Sequence, residues 1–366
     1  MAPSKPVRSL TDLSIKQLTN QIVSVCKANP SGDIANIASL RNALEYLPGV
    51  LADTLVDKLI NNLIDKRNRT LNPLFEAFRC LPLSSITKLD FRRAFMGYRL
   101  SRDLNVAFKS FCAEILVKTD RLTELVLIAK CTDTILKCLA DNCHQLVHLN
   151  VAISDGITDA GVKVLCPESE ATNKSQLGCY NLKIFNLKEC YISPPAIAKL
   201  VINLPKLRRV YYTNMASVVQ ELRKSPRDTF CLDYFEFYSS ENESFDLCTV
   251  PETLPELTTL KLLMKDHHMN NLTEYKGCLQ QIELELSSET GPGCANFFRS
   301  LCASNLTNIS LQMTSFPADC ILAIARNCSE LNTFKFVAST LENEEKLVPS
   351  TKYFQCLKEF IFQHLM

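Results

Sequence analysis

Apolar positions along this chain recur in one phrase, apolar-x-x-apolar-x-apolar. It reads Ile86-Leu89-Phe91, Leu122-Leu125-Leu127, Leu146-Leu149-Val151, Leu182-Phe185-Leu187, Leu207-Val210-Tyr212 and Leu232-Phe235-Phe237. It continues as Leu257-Leu260-Leu262, Leu279-Ile282-Leu284, Leu306-Ile309-Leu311, Leu331-Phe334-Phe336 and Leu357-Phe360-Phe362. Successive first positions are 36, 24, 36, 25, 25, 25, 22, 27, 25 and 26 residues apart, so the chain is built on a repeat of about 25. The last two apolar residues of each phrase are two apart, and the alternation of a strand puts them on one face. Between phrases the spacing becomes helical, as in Ile135, Leu136 and Leu139, then Ala196, Ile197 and Leu200, then Ile321, Leu322 and Ala325. Each unit therefore predicts strand, turn and helix. One unit alone cannot bury its apolar side, so neighbours stack, with parallel strands inside and helices outside.

The first eighty residues lack the phrase. Ser9-Leu10-Thr11-Asp12 has the form of a capping box, and Leu10, Leu13, Leu18, Ile22 and Val25 follow at helical spacing. After Asn29-Pro-Ser-Gly-Asp33, the residues Ile34, Ile37, Leu40 and Leu44 mark a second helix. A third opens at Pro48, tolerated in a first turn, and carries Leu51, Leu55, Leu59 and Leu63. The expected organisation is a flexible stretch over 1–8, a helical segment over 9–80 and the repeats over 81–366.

Composition narrows the function. The 366 residues are 46% hydrophobic and 22% charged, the balance of a globular chain. Forty Lys and Arg against 39 Asp and Glu leave +1, so no global field draws in nucleic acid or anionic membrane. No apolar run reaches the roughly 20 residues that span a bilayer. The 17 cysteines are odd in number, no two form CxxC, and the opening residues lack an apolar signal core. Reduced thiols in the cytoplasm or nucleus are the expectation, and sequons such as Asn308-Ile-Ser310 are then chance matches, that one inside a strand phrase. The stretch Cys166–Tyr180 reads as a polar loop.

No phosphate loop, nucleophile elbow or zinc-protease motif occurs, and Gly291-Pro-Gly293 is too short to cradle phosphate. His144 and His148 are four apart, but on a strand such residues do not converge, and His267-His268 supplies too few ligands. No catalytic residue, metal or cofactor is expected; an enzyme would need an exposed thiol of lowered pKa beside a base. A stack of repeats offers its concave strand face instead. Its outward positions include Arg209, Tyr211, Tyr234, Glu236, Tyr238, Lys261, Glu283 and Glu285. Tyr and Arg are favoured interface anchors, although strand preference alone would also place Tyr there. Mixed charge points to a protein rather than a nucleic-acid partner.

Cys143-His-Gln-Leu146, Cys179-Tyr-Asn-Leu182 and Cys328-Ser-Glu-Leu331 open three repeats, Cys190 follows Leu187, and Ile157-Thr-Asp-Ala-Gly161 enters a helix. In these residues the chain resembles the cysteine-containing leucine-rich repeats. The resemblance implies an α/β solenoid, with parallel strands on the concave face and helices on the convex face, behind an N-terminal all-helical segment. After residue 200 the pattern is degenerate, with Pro205 and Pro255 in place of the opening Cys. Ser9-Leu10-x-x-x-Ser14-x-x-x-Leu18 resembles the elongin BC box, with Ser14 where the family prefers Cys, and Leu47-Pro48-Gly-Val-Leu51 resembles the cullin box that follows it. This order is similar to the zyg-type substrate receptors of cullin-RING ubiquitin ligases. The resemblance implies that Leu10, Leu13, Ser14 and Leu18 meet elongin B/C, that Leu47, Pro48 and Leu51 meet a cullin, and that a protein substrate occupies the concave face. Two alternatives stand beside it. An F-box, which also starts near Leu-Pro, would bind a Skp-type adaptor; a plain scaffold would use the helices only to cap the repeats.

Overall fold

The computed structural model describes residues 10–28, 39–42, 44–63, 71–92, 101–166, 178–226, 229–238, 246–264, 279–286, 293–300, 305–338, 340–342 and 354–364. The chain divides into two compact units, Met1–Ile192 and Ser193–Met366. It is mixed α/β with parallel strands.

The first unit opens with α1 (Leu10–Ala28), α2 (Gly49–Leu63) and α3 (Asn72–Cys80). There follow β1 (Lys88–Asp90), α4 (Arg102–Leu116), β2 (Glu124–Val126), α5 (Asp133–Asn142), β3 (His148–Asn150), α6 (Asp159–Val164) and β4 (Ile184–Asn186). The strands pair in parallel with Leu89, Leu125, Leu149 and Phe185 in one row, all buried. Before β1, β2 and β3 one carbonyl takes two N–H groups from the next repeat. Thr87 O accepts from Thr123 N (2.8 Å) and Glu124 N (3.1 Å), and Val147 O accepts from Lys183 N (2.8 Å) and Ile184 N (3.1 Å). Thiols also link repeats: the opening Cys143 Sγ lies 3.5 Å from Thr119 O, and Cys190 Sγ, after the strand phrase, 3.4 Å from Val151 O. A small, weakly donating side chain satisfies buried carbonyls where a larger one would not fit.

The Ile157–Gly161 motif acquires a physical reason. Thr158 Oγ1 accepts from Ala160 N and so caps α6, while Thr158 N and Oγ1 both donate to the Asp133 carboxylate on α5 (2.8 and 2.6 Å). Gly161 then lies against Asp133 so closely that a Cβ would fall 2.0 Å from its Oδ1 and 3.0 Å from its Cα. Gly161→Ala is expected to push the helices apart and cost about 2 kcal/mol, the helix-propensity gain of alanine notwithstanding. Urea denaturation checks this; a variant as stable as the parent would show that α6 shifts freely.

The second unit holds α7 (Pro194–Asn203), β5 (Arg209–Tyr211), α8 (Met215–Leu222), β6 (Tyr234–Tyr238), α9 (Val250–Thr253), β7 (Thr259–Met264), β8 (Gln281–Leu286) and α10 (Gly293–Ser300). It continues with β9 (Asn308–Gln312), β10 (Ser315–Pro317), α11 (Ala318–Asn327), β11 (Thr333–Ala338), β12 (Thr340–Glu342) and β13 (Glu359–His364). Six strands form a parallel sheet in the order β13-β11-β9-β8-β7-β6. Its inner rows are Phe235, Leu260, Ile282, Ile309, Phe334, Phe360 and Phe237, Leu262, Leu284, Leu311, Phe336, Phe362. The same carbonyl pattern recurs, for example Thr258 O accepting from Gln280 N (2.8 Å) and Gln281 N (3.0 Å).

All eleven apolar phrases coincide with strands. Their apolar residues are buried except in the last, where β13 pairs only with β11 among the described residues, and Phe360 and Phe362 are 56% and 51% exposed. A short parallel pair, β10–β12, lies outside the phrases. Two expectations need correction. On α11 the fully buried positions include Cys320, Ala323 and Ile324, whereas Ile321 and Leu322 are half-buried. On α1 the buried residues are Ile15, Thr19, Ile22 and Cys26, and Leu13 points outward; both sides of this helix carry apolar residues, so spacing alone did not select the face. The loop read over Cys166–Tyr180 falls mostly outside the described residues, as do Ile34, Ile37, His267 and His268.

Candidate protein-binding surfaces

Two surfaces bear on function. The first is the N-terminal helical segment. Helix α2 begins just after Pro48, whose carbonyl accepts from Leu51 N and Ala52 N (both 2.9 Å). It buries Leu55, Leu59 and Leu63, and Asp53 on it accepts from Thr87 N (2.8 Å), Thr87 Oγ1 (2.5 Å) and Lys88 N (3.1 Å). A carboxylate thus satisfies the backbone at the start of β1 where no earlier strand pairs among the described residues. Helix α1 is different. Leu13 is 47% exposed, Ser14 is exposed and Leu18 half-buried; the Leu10 side chain lies outside the described residues. Leu47 and Leu51 are half-buried and Pro48 is exposed.

The second surface is the strand face opposite the buried rows in the second unit. Register aligns Tyr234, Thr259, Gln281 and Asn308, then Glu236, Lys261, Glu283 and Ser310, then Tyr238, Leu263, Glu285 and Gln312. The predicted residues are therefore brought together. Arg209 Nε donates to Asp233 Oδ1 (2.8 Å), and the Tyr211 and Tyr234 rings lie 4.7 Å apart. Lys261 Nζ sits 3.3 Å from Glu283 Oε2 and 3.9 Å from Glu236 Oε1.

Two of these residues are not exposed as the alternation suggested. The Glu236 side chain is 0% exposed, and Tyr234 is buried. Tyr234 and Tyr238 flank Glu236 on the same strand face and fold over it: Tyr234 Oη donates to Oε2 (3.0 Å) and Tyr238 Oη to Oε1 (2.5 Å). Burial, together with the adjacent carboxylate, raises both phenols, Tyr238 to about 12. Asp233, which holds Arg209 in place, was not singled out from sequence; it precedes the strand, and only the register shows what it faces.

Among the described residues no group of three or more His, Cys, Asp or Glu converges as a metal site. His144 Nδ1 lies 3.2 Å from Gly178 O, and His148 Nδ1 lies 3.4 Å from Glu124. Burial raises most of the shifted thiols, whereas a hydrogen bond with Cys26 lowers Cys80, itself buried in the helical segment. No described helix is long and apolar enough to cross a membrane.

No family model and no curated protein matches the chain. Among solved structures, it is similar to yeast Rad7 in a complex with Elc1, at 16% identity and a TM-score of 0.49, over 96% of this chain and 98% of that one. It is also similar to the plant peptide hormone receptor RGFR1 in complex with RGF2, at 12% identity and a TM-score of 0.24, over 80% of this chain and 46% of that one. Both likenesses lie below a TM-score of 0.5, too distant to establish a shared fold.

Proposed function

We propose that this protein is a non-catalytic adaptor, the substrate-recognition subunit of a cullin-RING ubiquitin ligase acting in the cytoplasm or nucleus. Its α1 helix docks on elongin C of an elongin B/C pair, the turn into α2 meets a cullin, and the open strand face holds a protein for modification by its partners. The observation that carries this reading is the outward Leu13 on α1, with Ser14 beside it and Leu18 only half-buried. A helix serving only as a cap would bury such residues, whereas a helix received in an apolar groove must present them. Catalysis then comes from proximity: the adaptor raises the local concentration of substrate at the ligase's catalytic partners.

The scaffold reading is favoured by a separate observation, the contact of Asp53 and α2 with the start of β1. With α2 as the cap, the outer side of α1 is available for docking, and the two roles fall on different helices. Co-expression with elongin B and C tests the proposal. Wild type is expected to be captured, and a Leu13→Asp, Leu18→Asp double variant with an unchanged far-ultraviolet dichroism spectrum is expected to fall to background. Failure of the folded wild type to bind would eliminate the elongin reading and turn the test to a Skp-type adaptor.

A further inference from the structure

The open face of β5–β8 does not balance its charges internally. Asp233, Glu236, Glu283 and Glu285 face two cations, Arg209 and Lys261. Arg209 is held by Asp233, and Lys261 is shared between Glu236 and Glu283. Glu285 is left over. Its register neighbours are Leu263 and Gln312, and among the described residues it makes no ion pair. The row Tyr238, Leu263, Glu285 therefore forms a slot with three kinds of wall: a phenol ring on one side, a half-buried leucine as floor and an exposed carboxylate on the other side. Two strand spacings make the slot about 10 Å across.

A basic side chain has the matching chemistry. The aliphatic stem of arginine packs on an apolar floor, its planar guanidinium stacks on an aromatic ring, and its fork of donors meets a carboxylate. We propose that the open face of β6–β8 docks a protein segment through an arginine or lysine side chain seated over Leu263 between Tyr238 and Glu285. This rests on the reading of that face as protein-binding and gives the bound segment a sign of charge. Lys261, occupied by two carboxylates, does not repel the incoming cation as a free lysine would.

Selection of a random peptide library displayed on phage, using the full chain as bait, tests this. Wild type is expected to enrich peptides with Arg or Lys at a shared position. A synthetic enriched peptide, followed by fluorescence polarisation, is expected to bind a Glu285→Lys variant about tenfold more weakly, and to regain affinity when its basic residue is replaced by Glu. Glu285 is exposed at mid-face, so its reversal leaves the buried rows intact. Enriched peptides without a basic residue, or affinities indifferent to the charge swap, would overturn the basic-side-chain assignment and leave a protein-binding face standing. No enrichment by folded bait would overturn both. Elongin capture is a separate readout on α1 and is expected to be unaffected by Glu285→Lys in either case.

Discussion

Raising the pH from 9 to 11 under reducing conditions is expected to lower the stability of the protein steeply. Burial pushes the Cys143 and Cys328 thiols from 9.0 up to about 12, and Cys131 and Cys179 are raised as well. The sign follows from proton counting. Between pH 9 and 12 the unfolded chain releases these protons and the folded chain keeps them, so stability is full below pH 9 and falls as pH rises. Each such thiol contributes about 1.4 kcal/mol per pH unit, so Cys143 and Cys328 together contribute about 3 kcal/mol per unit. Set against a total stability of about 5–15 kcal/mol for a folded domain, the loss of about 6 kcal/mol between pH 9 and 11 removes a large share of it. Urea titrations at pH 8, 9, 10 and 11 measure it directly. A flat profile would show that the buried thiols ionise in place, and a Cys143→Ala, Cys328→Ala double variant is expected to show a shallower slope.

Glu236→Ala is expected to cost about 3 kcal/mol, although it removes a charge from a surface that was read as exposed. The substitution deletes the acceptor for two tyrosine hydroxyls. It leaves Tyr234, itself buried, with its hydroxyl unsatisfied by the group that now accepts from it. Glu236→Gln retains one acceptor oxygen in the same shape and is expected to lose only about 1 kcal/mol. The contrast between the two variants in thermal or urea melts is the decisive quantity. Equal stabilities would mean that the tyrosines find water instead.

The strands were legible because one physical signal writes them: two inward residues at period two and a leading apolar residue, repeated eleven times. Leu257-Leu260-Leu262 is strand-like by that signal alone, and all three residues are buried. What alternation does not carry is the cover laid over an outward position. Glu236 is outward by period and buried in fact because Tyr234 and Tyr238, two residues away on either side, close over it. Register, by contrast, was legible despite intervals as unequal as 22 and 27 residues, since aligning Phe235, Leu260 and Ile282 of three phrases puts Lys261 between Glu236 and Glu283. Helix α1 was legible as a helix and not as to its inner side, because Leu13 and Ile15 offer apolar surface in two directions.

The unslipped alignment of β6, β7, β8, β9, β11 and β13, in which Glu236, Lys261, Glu283, Ser310, Lys335 and Ile361 fall in one row, bears on how such a chain can change length. Duplicating or deleting a whole module of about 25 residues preserves the facing of every remaining side chain and only lengthens or shortens the row. Inserting a single residue within one strand inverts that strand, turning its phenylalanines to solvent and its charges to the core. Variation in this architecture is thus quantised, tolerant of large steps and intolerant of the smallest.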